Sequence, residues 1–333
     1  MSTRNYSIDI LKLFCALLVV FIHVDFNYSK YILPVTRCAV PVFLIISGYF
    51  LYDKESSGMK QENIEKNIAR IVKLTLWSTF FYFVYFFVLR IIAGERGGQI
   101  PSQSVWLKWI CYNVTIYGEH LWYLFAYIYV LLIVLLANKF GKLNCLFYWI
   151  PILLLANLLL GMYSKPVFEI QFPYYYTRNF LLLALPFFLI GAFFKKHEDK
   201  ILGLIKTSYL IGGVIFCFVM LYVEKVILDS FYVSWGGSDL FFCSISLAVF
   251  LFLLSLSIKN LHISWVAKMG EKDSLYIYIF HPVVAFFCSF VCYKLNIHDV
   301  FVEVAPIVVI IMTILLIEIN DFVLKKIKFY KFG

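Results

Sequence analysis

Long apolar runs alternate with short polar segments along almost the whole chain. Each run is close to the roughly 20 apolar residues that a helix needs to cross the hydrocarbon core of a membrane. The pattern therefore predicts an all-α, polytopic integral membrane protein in which about ten transmembrane helices form one bundle. No fixed-period repeat and no Pro- or Ser-rich linker interrupts it, so one domain is predicted for residues 1–333. The runs lie at 8–26, 34–52, 72–92, 121–138, 144–162, 179–195, 204–223, 239–257, 273–293 and 301–323.

The composition supports this interpretation. Hydrophobic residues make up 62% of the chain and charged residues 15%, and the mean hydropathy is +0.86, which excludes a water-soluble domain. The net charge of +9 does not indicate nucleic-acid binding, because the Lys and Arg residues lie between apolar runs. The eight cysteines form no C-x-x-C pair or metal-ligand spacing, so neither a disulfide framework nor a metal site is expected.

The positive charges also predict the orientation of the chain. If the N-terminus is cytoplasmic, the loops at 53–71, 139–143, 196–203 and 258–272 and the C-terminal tail carry most of the Lys and Arg residues. The positive-inside rule therefore places both termini in the cytoplasm. The longest outer loop, 93–120, is predicted to hold a short interfacial helix that contains Trp106 and Trp109.

The first run contains ionisable residues at positions that lipid should cover. Lys12 and His23 are eleven residues apart, so they share one helix face about 16 Å apart along the axis. Asp9 lies one turn before Lys12 and can partner it. Intramembrane ionisable residues are functional candidates. The alternatives are a chemically idle interfacial histidine and a lysine that extends to the cytoplasmic interface.

Further candidates lie in or beside other runs. Arg37 is expected near the depth of His23, Ser47 near that of Lys12, and Gly48 permits close helix packing. His281 is expected near mid-bilayer, either as a core histidine or as a catalytic one. Arg70 and Lys73, one helical turn apart, suit phosphate binding or simply mark the cytoplasmic boundary. The outer mouth of the fourth run carries His120 and Trp122.

Four blocks of sequence resemble the acyltransferase-3 family of bacterial membrane acyltransferases, which acylate cell-surface glycans. The resemblance covers essentially the whole chain, so residues 1–333 are expected to form a single acyltransferase-3-like membrane domain. One departure is Lys73 in Arg70-Ile71-Val72-Lys73, where the family often has a second arginine; lysine cannot bind phosphate bidentately. The blocks are Lys12 with His23 after ten intervening positions, Arg37 to Ser47-Gly48-Tyr49, His120-Leu121-Trp122-Tyr123-Leu124, and Ser274 to His281-Pro282.

The resemblance implies an O-acyltransferase of the bacterial inner membrane, with acetyl transferred from cytoplasmic acetyl-CoA, or another acyl-CoA, to a hydroxyl group. The expected acceptor is a lipid-linked or cell-surface glycan such as capsule, O-antigen or exopolysaccharide. Acyl-CoA is a co-substrate, and no bound cofactor and no metal are expected. The expected partners are this donor, the glycan and membrane lipid, without nucleic acid; homo-oligomerisation is left open.

The resemblance also implies roles for the site residues. His23 acts as general base or as transient acyl carrier, and the sequence does not choose between the two. Lys12 is the second catalytic residue and holds or polarises the donor. Donor binding is assigned to Arg70, Lys73, Ser47 and Tyr49, and acceptor binding or oxyanion stabilisation to Arg37, His120, Trp122 and His281.

Two other functions are compatible with the same pattern. A transporter or flippase for a glycan or small solute, without acyl transfer, would also need a polar stripe across the membrane. No inverted repeat or matched pair of broken helices supports it. A module that binds a small amino acid, as in relatives fused to soluble enzymes, is disfavoured by the lack of a fused domain in this sequence.

Overall fold

The protein is helical throughout the part that the structure describes. The computed structural model describes residues 5–93, 102–231, 240–258 and 263–332, and these contain α-helices and no β-strand. In chain order the helices are α1 (Tyr6–His23), α2 (Ser29–Thr36), α3 (Ala39–Leu51), α4 (Gln61–Ile92), α5 (Gln103–Tyr112), α6 (Trp122–Lys139), α7 (Leu143–Leu146), α8 (Trp149–Leu160), α9 (Ser164–Phe168), α10 (Leu185–Lys196), α11 (Glu198–Leu204), α12 (Thr207–Asp229), α13 (Phe242–Ser257), α14 (Ser264–Lys272), α15 (Ser274–Lys294) and α16 (His298–Phe332).

The length of these helices supports a membrane protein. Among the described residues, eight segments are long and apolar enough to cross a membrane. A further candidate consists of Phe180–Lys196 and Glu198–Leu204, which are bent by 80° relative to each other, and α13 is apolar but has only 16 residues. The all-helical membrane class is confirmed. The count of ten and the cytoplasmic location of the termini stay predictions.

Two predicted segments differ in detail from the structure. The run at 34–52 corresponds to a longer segment, Ser29–Leu51, in which Arg37 and Cys38 separate α2 from α3. Pro34 lies inside α2 instead of beginning the span. The predicted interfacial helix is α5, which contains both tryptophans of the 93–120 loop, while 94–101 lie outside the described residues.

Contacts between helices divide the chain into two compact units. The first contains the residues up to Ala39 and those from Leu251 onward; the second runs from Val40 to Phe250. In the first unit, α1 packs against α2, α14, α15 and α16, and α15 packs along α16. In the second unit, α6 packs against α4, and the π-helical turn Phe180–Ala184 packs against α6, α8 and α10. The single-domain interpretation stays a prediction.

Glycines allow two close helix contacts. A Cβ atom added to Gly48 of α3 would overlap the carbonyl oxygen of Phe188, and one added to Gly191 of α10 would overlap that of Ile45. The two backbones therefore touch at this pair, as expected for small residues at membrane helix contacts. In the first unit, a Cβ on Gly270 of α14 would overlap the carbonyl oxygen of Asp9 in α1.

Candidate active site

The N-terminal half of α1 carries a partly buried ion pair. The Lys12 ammonium lies 3.0 Å from a carboxylate oxygen of Asp9, one helical turn earlier, so the predicted partnership is confirmed. Asp9 is 6% exposed, whereas the side chain of Lys12 is 25% exposed. A buried carboxylate needs such a partner, because an unpaired charge inside a membrane protein is costly. The pair holds the Lys12 charge close to the helix.

The opposite end of α1 brings two histidines together. The ring centroids of His23 and His281 are 5.3 Å apart, and the ring planes are tilted by 42°. His23 ends α1 and is exposed, while His281 lies in α15 and is fully buried. Helices α1 and α15 pack directly against each other, which places the rings in contact. The sequence predicted both histidines as site residues but did not predict this contact.

The hydrogen bond of His281 defines which nitrogen carries its proton. His281 Nδ1 lies 2.9 Å from the carbonyl oxygen of Ile277, one turn earlier in α15. A carbonyl oxygen only accepts, so Nδ1 is the protonated nitrogen, and Nε2 is the acceptor in the neutral ring. Two imidazolium rings at this distance would repel each other, which disfavours a doubly protonated pair. Within the pair, His281 is buried and His23 is exposed at the end of α1, so His23 is the ring that a ligand can reach.

Arg37 belongs to the same unit as these histidines. It follows the last residue of α2, is half-buried, and its backbone N–H donates to the carbonyl oxygen of Pro34. In this unit α2 packs against α1. The first unit therefore contains four of the predicted site residues, namely Lys12, His23, Arg37 and His281. The other six predicted site residues belong to the second unit.

Part of the predicted donor-binding set converges on α6. The Ser47 hydroxyl donates to the Phe43 carbonyl at 2.8 Å and also hydrogen-bonds the hydroxyl groups of Tyr123 and Tyr127. Arg70 of α4 lies within electrostatic range of Tyr127 of α6. Arg70 and Lys73 are exposed, and lie one turn apart on α4. Exposed cations beside hydroxyl groups suit a phosphate-bearing ligand.

Tyr49 lies in a different cluster from Ser47, although only one residue separates them in the sequence. Its hydroxyl donates to Glu198 at 2.8 Å, and the Lys195 ammonium lies 4.6 Å from its ring centroid. Lys54 joins the cluster 3.2 Å from Glu198 and 2.9 Å from Asp199. Partial burial opposes the charged form of Lys54, but these two carboxylates raise its pKa. The assignment of Tyr49 to donor binding stays a prediction.

His120 and Trp122 face different neighbours in the second unit. His120 is buried, and its ring makes an edge contact with Tyr82 of α4 at a centroid distance of 4.8 Å. Gly118 forms the turn before it with φ +71°, which favours glycine. Trp122, the first residue of α6, lines a cavity together with Arg178 instead. The assignment of both to acceptor binding stays a prediction.

Glu224 was missed by the sequence interpretation because it lies just beyond the run that ends at 223. Its carboxylate accepts hydrogen bonds from the Tyr163 hydroxyl at 2.6 Å and from the backbone N–H groups of Phe242 and Cys243 at 2.7 and 2.8 Å. These N–H groups begin α13, so the carboxylate caps that helix and matches its dipole. Burial and the hydrogen bond to Glu224 raise the pKa of Tyr163.

We expect Glu224→Gln to destabilise the protein by about 1–3 kcal/mol, because the amide would place a donor against a buried donor. Thermal unfolding in detergent measures this change. Glu62→Gln is the matched control: Glu62 is exposed and forms a surface ion pair with Lys66, so this variant should unfold like wild type. Equal unfolding temperatures for Glu224→Gln and wild type would contradict the capping role.

The described residues contain no group of three or more His, Cys, Asp or Glu side chains arranged to hold a metal ion. An exposed histidine at one end of a membrane helix and a partly buried lysine toward the other are compatible with group transfer between two sides of a membrane.

Such a polar helix inside a membrane bundle is typical of membrane enzymes and transporters. The model of the acyltransferase domain family matches residues 5–317. The chain belongs to this family, which confirms the family prediction and places it in the acyltransferase class.

A curated relative of this chain is larger than the chain itself. An amino-acid racemase of Enterococcus faecalis is 29% identical over 318 residues, which cover 85% of this chain and 41% of the racemase. The chain therefore spans about two fifths of the length of that relative. No solved structure matches the chain.

Proposed function

We propose that this protein is a membrane O-acyltransferase that transfers acetyl from cytoplasmic acetyl-CoA to a hydroxyl of a cell-surface or lipid-linked glycan. The observation that carries the proposal is the contact between His23 and His281 in a chain of the acyltransferase family. A bacterial inner membrane is the proposed location, with the donor entering from inside and the glycan from outside. The glycan belongs to the capsule, O-antigen or exopolysaccharide class.

In the direct mechanism, His23 removes the proton of the acceptor hydroxyl as its oxygen attacks the thioester carbonyl. A C–O bond forms, the C–S bond breaks, and the CoA thiolate takes up a proton. His281 positions His23 through the contact between the two rings. Arg37 stabilises the oxyanion of the tetrahedral intermediate, because a cation near developing negative charge lowers the barrier.

In the carrier mechanism, the His23 imidazole attacks the thioester first. An acyl-imidazole forms and CoA leaves as the thiol; the glycan hydroxyl then attacks this intermediate and restores the free imidazole. Both mechanisms give the same ester and the same thiol. Lys12, held by Asp9 about three turns from His23, binds the donor on its way to the outer end of α1.

Donor binding is proposed for the exposed cations Arg70 and Lys73, together with Ser47 and Tyr49. Guanidinium and ammonium groups bind the phosphates of CoA, and the same contacts persist in the transition state. They therefore lower KM without changing kcat.

We expect Arg70→Gln to raise the KM for acetyl-CoA about ten-fold, the equivalent of about 1.4 kcal/mol, with little change in kcat. Lys73→Arg should keep or lower KM, because arginine binds phosphate bidentately. Steady-state kinetics of the purified protein measure both. Lys66→Gln, which alters an exposed lysine paired with Glu62, is the control. A fall in kcat at unchanged KM would refute the donor-binding role of Arg70.

The proposed activity is tested with purified protein in lipid nanodiscs, labelled acetyl-CoA and a panel of bacterial glycans. Release of free CoA with label in a base-labile ester on the glycan supports acyl transfer. A transporter without acyl transfer would leave the label in acetyl-CoA and would instead move the glycan across proteoliposomes. The acetyl content of surface glycans in a deletion strain, with and without the complementing gene, tests the same activity in cells.

A second candidate function is a membrane module that binds an amino acid. The similarity to a racemase of amino acids, which this chain matches over about two fifths of its length, favours it. Equilibrium binding of labelled amino acids to the nanodisc-embedded protein, without acetyl-CoA, tests this candidate. Saturable binding of an amino acid together with no acetyl transfer to any glycan would favour it over the acyltransferase.

A further inference from the structure

A small polar cavity lies where α6 begins in the second unit. Its volume is about 30 Å³, enough for one small chemical group and too small for a sugar ring. It is on the predicted outer side of the membrane, because it adjoins the loops before α6 and before the Phe180–Ala184 turn. The lining residues are Asn113, Val114, Thr115, Glu119, Trp122, Tyr174 and Arg178.

Arg178 supplies positive charge to this cavity. Its guanidinium carbon lies 4.2 Å from the Tyr174 ring centroid and 5.9 Å from that of Trp122, so aromatic faces support it on two sides. The neighbouring backbone is fixed as well: the Thr177 carbonyl accepts a hydrogen bond from Asn157, and the Asn179 side chain caps the following turn. Arg178 is thus a positioned cation.

Asn113 supplies a second donor. It is fully buried, adopts the left-handed conformation with φ 61° at the end of α5, and accepts a hydrogen bond from the Phe180 N–H at 3.0 Å through Oδ1. This bond orients the amide. Within the described part of the chain, its Nδ2 group has no hydrogen-bond partner. A buried N–H donor without an acceptor is costly, so an acceptor oxygen from a ligand would be strongly favoured there.

These groups define the chemistry of the ligand. The Arg178 guanidinium lines a small cavity next to Asn113, whose buried amide N–H has no hydrogen-bond partner in the described part of the chain, and a carboxylate is an anionic oxygen pair of a size that suits this cation. Trp122 presents an aromatic surface beside the cavity, and the exposed Glu119 offers a hydroxyl acceptor at its mouth. A hydroxylated ring that carries a carboxylate fits this arrangement better than a neutral sugar does.

We propose that this cavity recognises the carboxylate of an acidic sugar in the glycan acceptor, a uronic-acid type of residue. The proposal rests on the proposed glycan acyltransferase function and specifies its acceptor. Arg178 and Asn113 bind the carboxylate, Trp122 contacts the ring, and Glu119 accepts a ring hydroxyl. The cavity is a recognition site, and acyl transfer takes place on a hydroxyl elsewhere in the glycan.

Binding is measured by isothermal titration calorimetry on the nanodisc-embedded full chain without acetyl-CoA. The probes are an oligosaccharide that ends in glucuronic acid, its methyl ester, and the matched oligosaccharide that ends in glucose. Wild type should bind the acid at least about ten-fold more tightly than either neutral probe, about 1.4 kcal/mol. This comparison requires no substitution, so it stands even if a variant fails to fold.

Two variants test the named residues. Arg178→Gln should remove the preference for the acidic probe. Asn113→Asp keeps an acceptor for the Phe180 N–H but replaces the donor by a carboxylate oxygen, so it should weaken binding of the acidic probe at least about ten-fold. Lys165→Gln removes one positive charge, as Arg178→Gln does, but at a residue outside the cavity. This control should keep the preference for the acidic probe.

Equal binding of the three probes by wild type would overturn the proposal, as would a preference that survives in both cavity variants. Displacement of the acidic probe by a free amino acid at lower concentration would overturn it in favour of an amino-acid site. The acetyl-transfer assay is separate: failure of transfer with an intact acidic preference would reject the acyltransferase proposal and leave the binding site supported.

Discussion

His23→Ala should lower the rate of acyl transfer to the glycan by about 100-fold to 10,000-fold, the range that a general base contributes. If His23 instead carries the acyl group, the loss should be at least as large, because the covalent intermediate cannot form. The rate is measured with purified protein at saturating acetyl-CoA. Equal amounts of both proteins in the membrane must be verified first.

His298→Gln is the matched control for this prediction. His298 is another histidine of the first unit, lies at the start of α16, and its Nε2 is 3.2 Å from the Ser289 hydroxyl. It should keep near wild-type activity. His281→Gln should lower kcat by less than His23→Ala and shift the pH profile, because His281 positions the base. Full acetylation of the glycan by His23→Ala in a strain lacking other such enzymes would disprove the assignment.

The two mechanisms differ in what accumulates on the enzyme. With acetyl-CoA and no glycan, an acyl carrier should gain one acetyl group on the peptide that contains His23, and hydroxylamine should remove it. A general base should gain none. Mass spectrometry of the rapidly quenched protein distinguishes these results.

Gly48→Ala should destabilise the second unit by about 1–3 kcal/mol or more, because its Cβ would overlap the Phe188 carbonyl oxygen and force α3 and α10 apart. Gly191→Ala should have a similar effect through Ile45, and the two losses should not add fully, since the first separation relieves the second overlap. Thermal unfolding in a mild detergent measures each variant.

Gly212→Ala is the matched control for these glycines. Gly212 lies in α12, and a Cβ added there meets nothing within 4 Å. This variant should unfold at or slightly above the wild-type temperature, because alanine favours helix more than glycine does. If Gly48→Ala proved as stable as Gly212→Ala, α3 and α10 would not be in backbone contact.

The sequence predicted the helical architecture well for a physical reason. A span has to be apolar over a length that the membrane imposes, so the run that contains Lys12 and His23 is visible without any knowledge of its neighbours. Ion pairs within one turn, such as Asp9 with Lys12, follow from helix geometry alone. The sequence predicted that Gly48 permits close helix packing, but it did not predict that Gly191 lies at the same contact.

Contacts between distant segments could not be predicted in this way. His23 and His281 meet because α1 and α15 pack together, and no local pattern encodes which helices are neighbours. Arg178 was not among the predicted site residues, and the sequence does not show that Asn113 approaches the backbone beside it. The family resemblance placed Tyr49 with Ser47 in donor binding, yet two positions along a helix point about 200° apart, and the two hydroxyl groups bind different partners.

The contact between Gly270 and the Asp9 carbonyl limits how α1 can move. With no side chain between the two backbones, α14 leaves no room for α1 to slide or rotate at the depth of Lys12. Any rocking that exposed this helix first to one side of the membrane and then to the other would have to carry α14 with it. Under the proposed function, the simpler consequence is that α1 and α14 stay fixed against each other while donor and acceptor come to them.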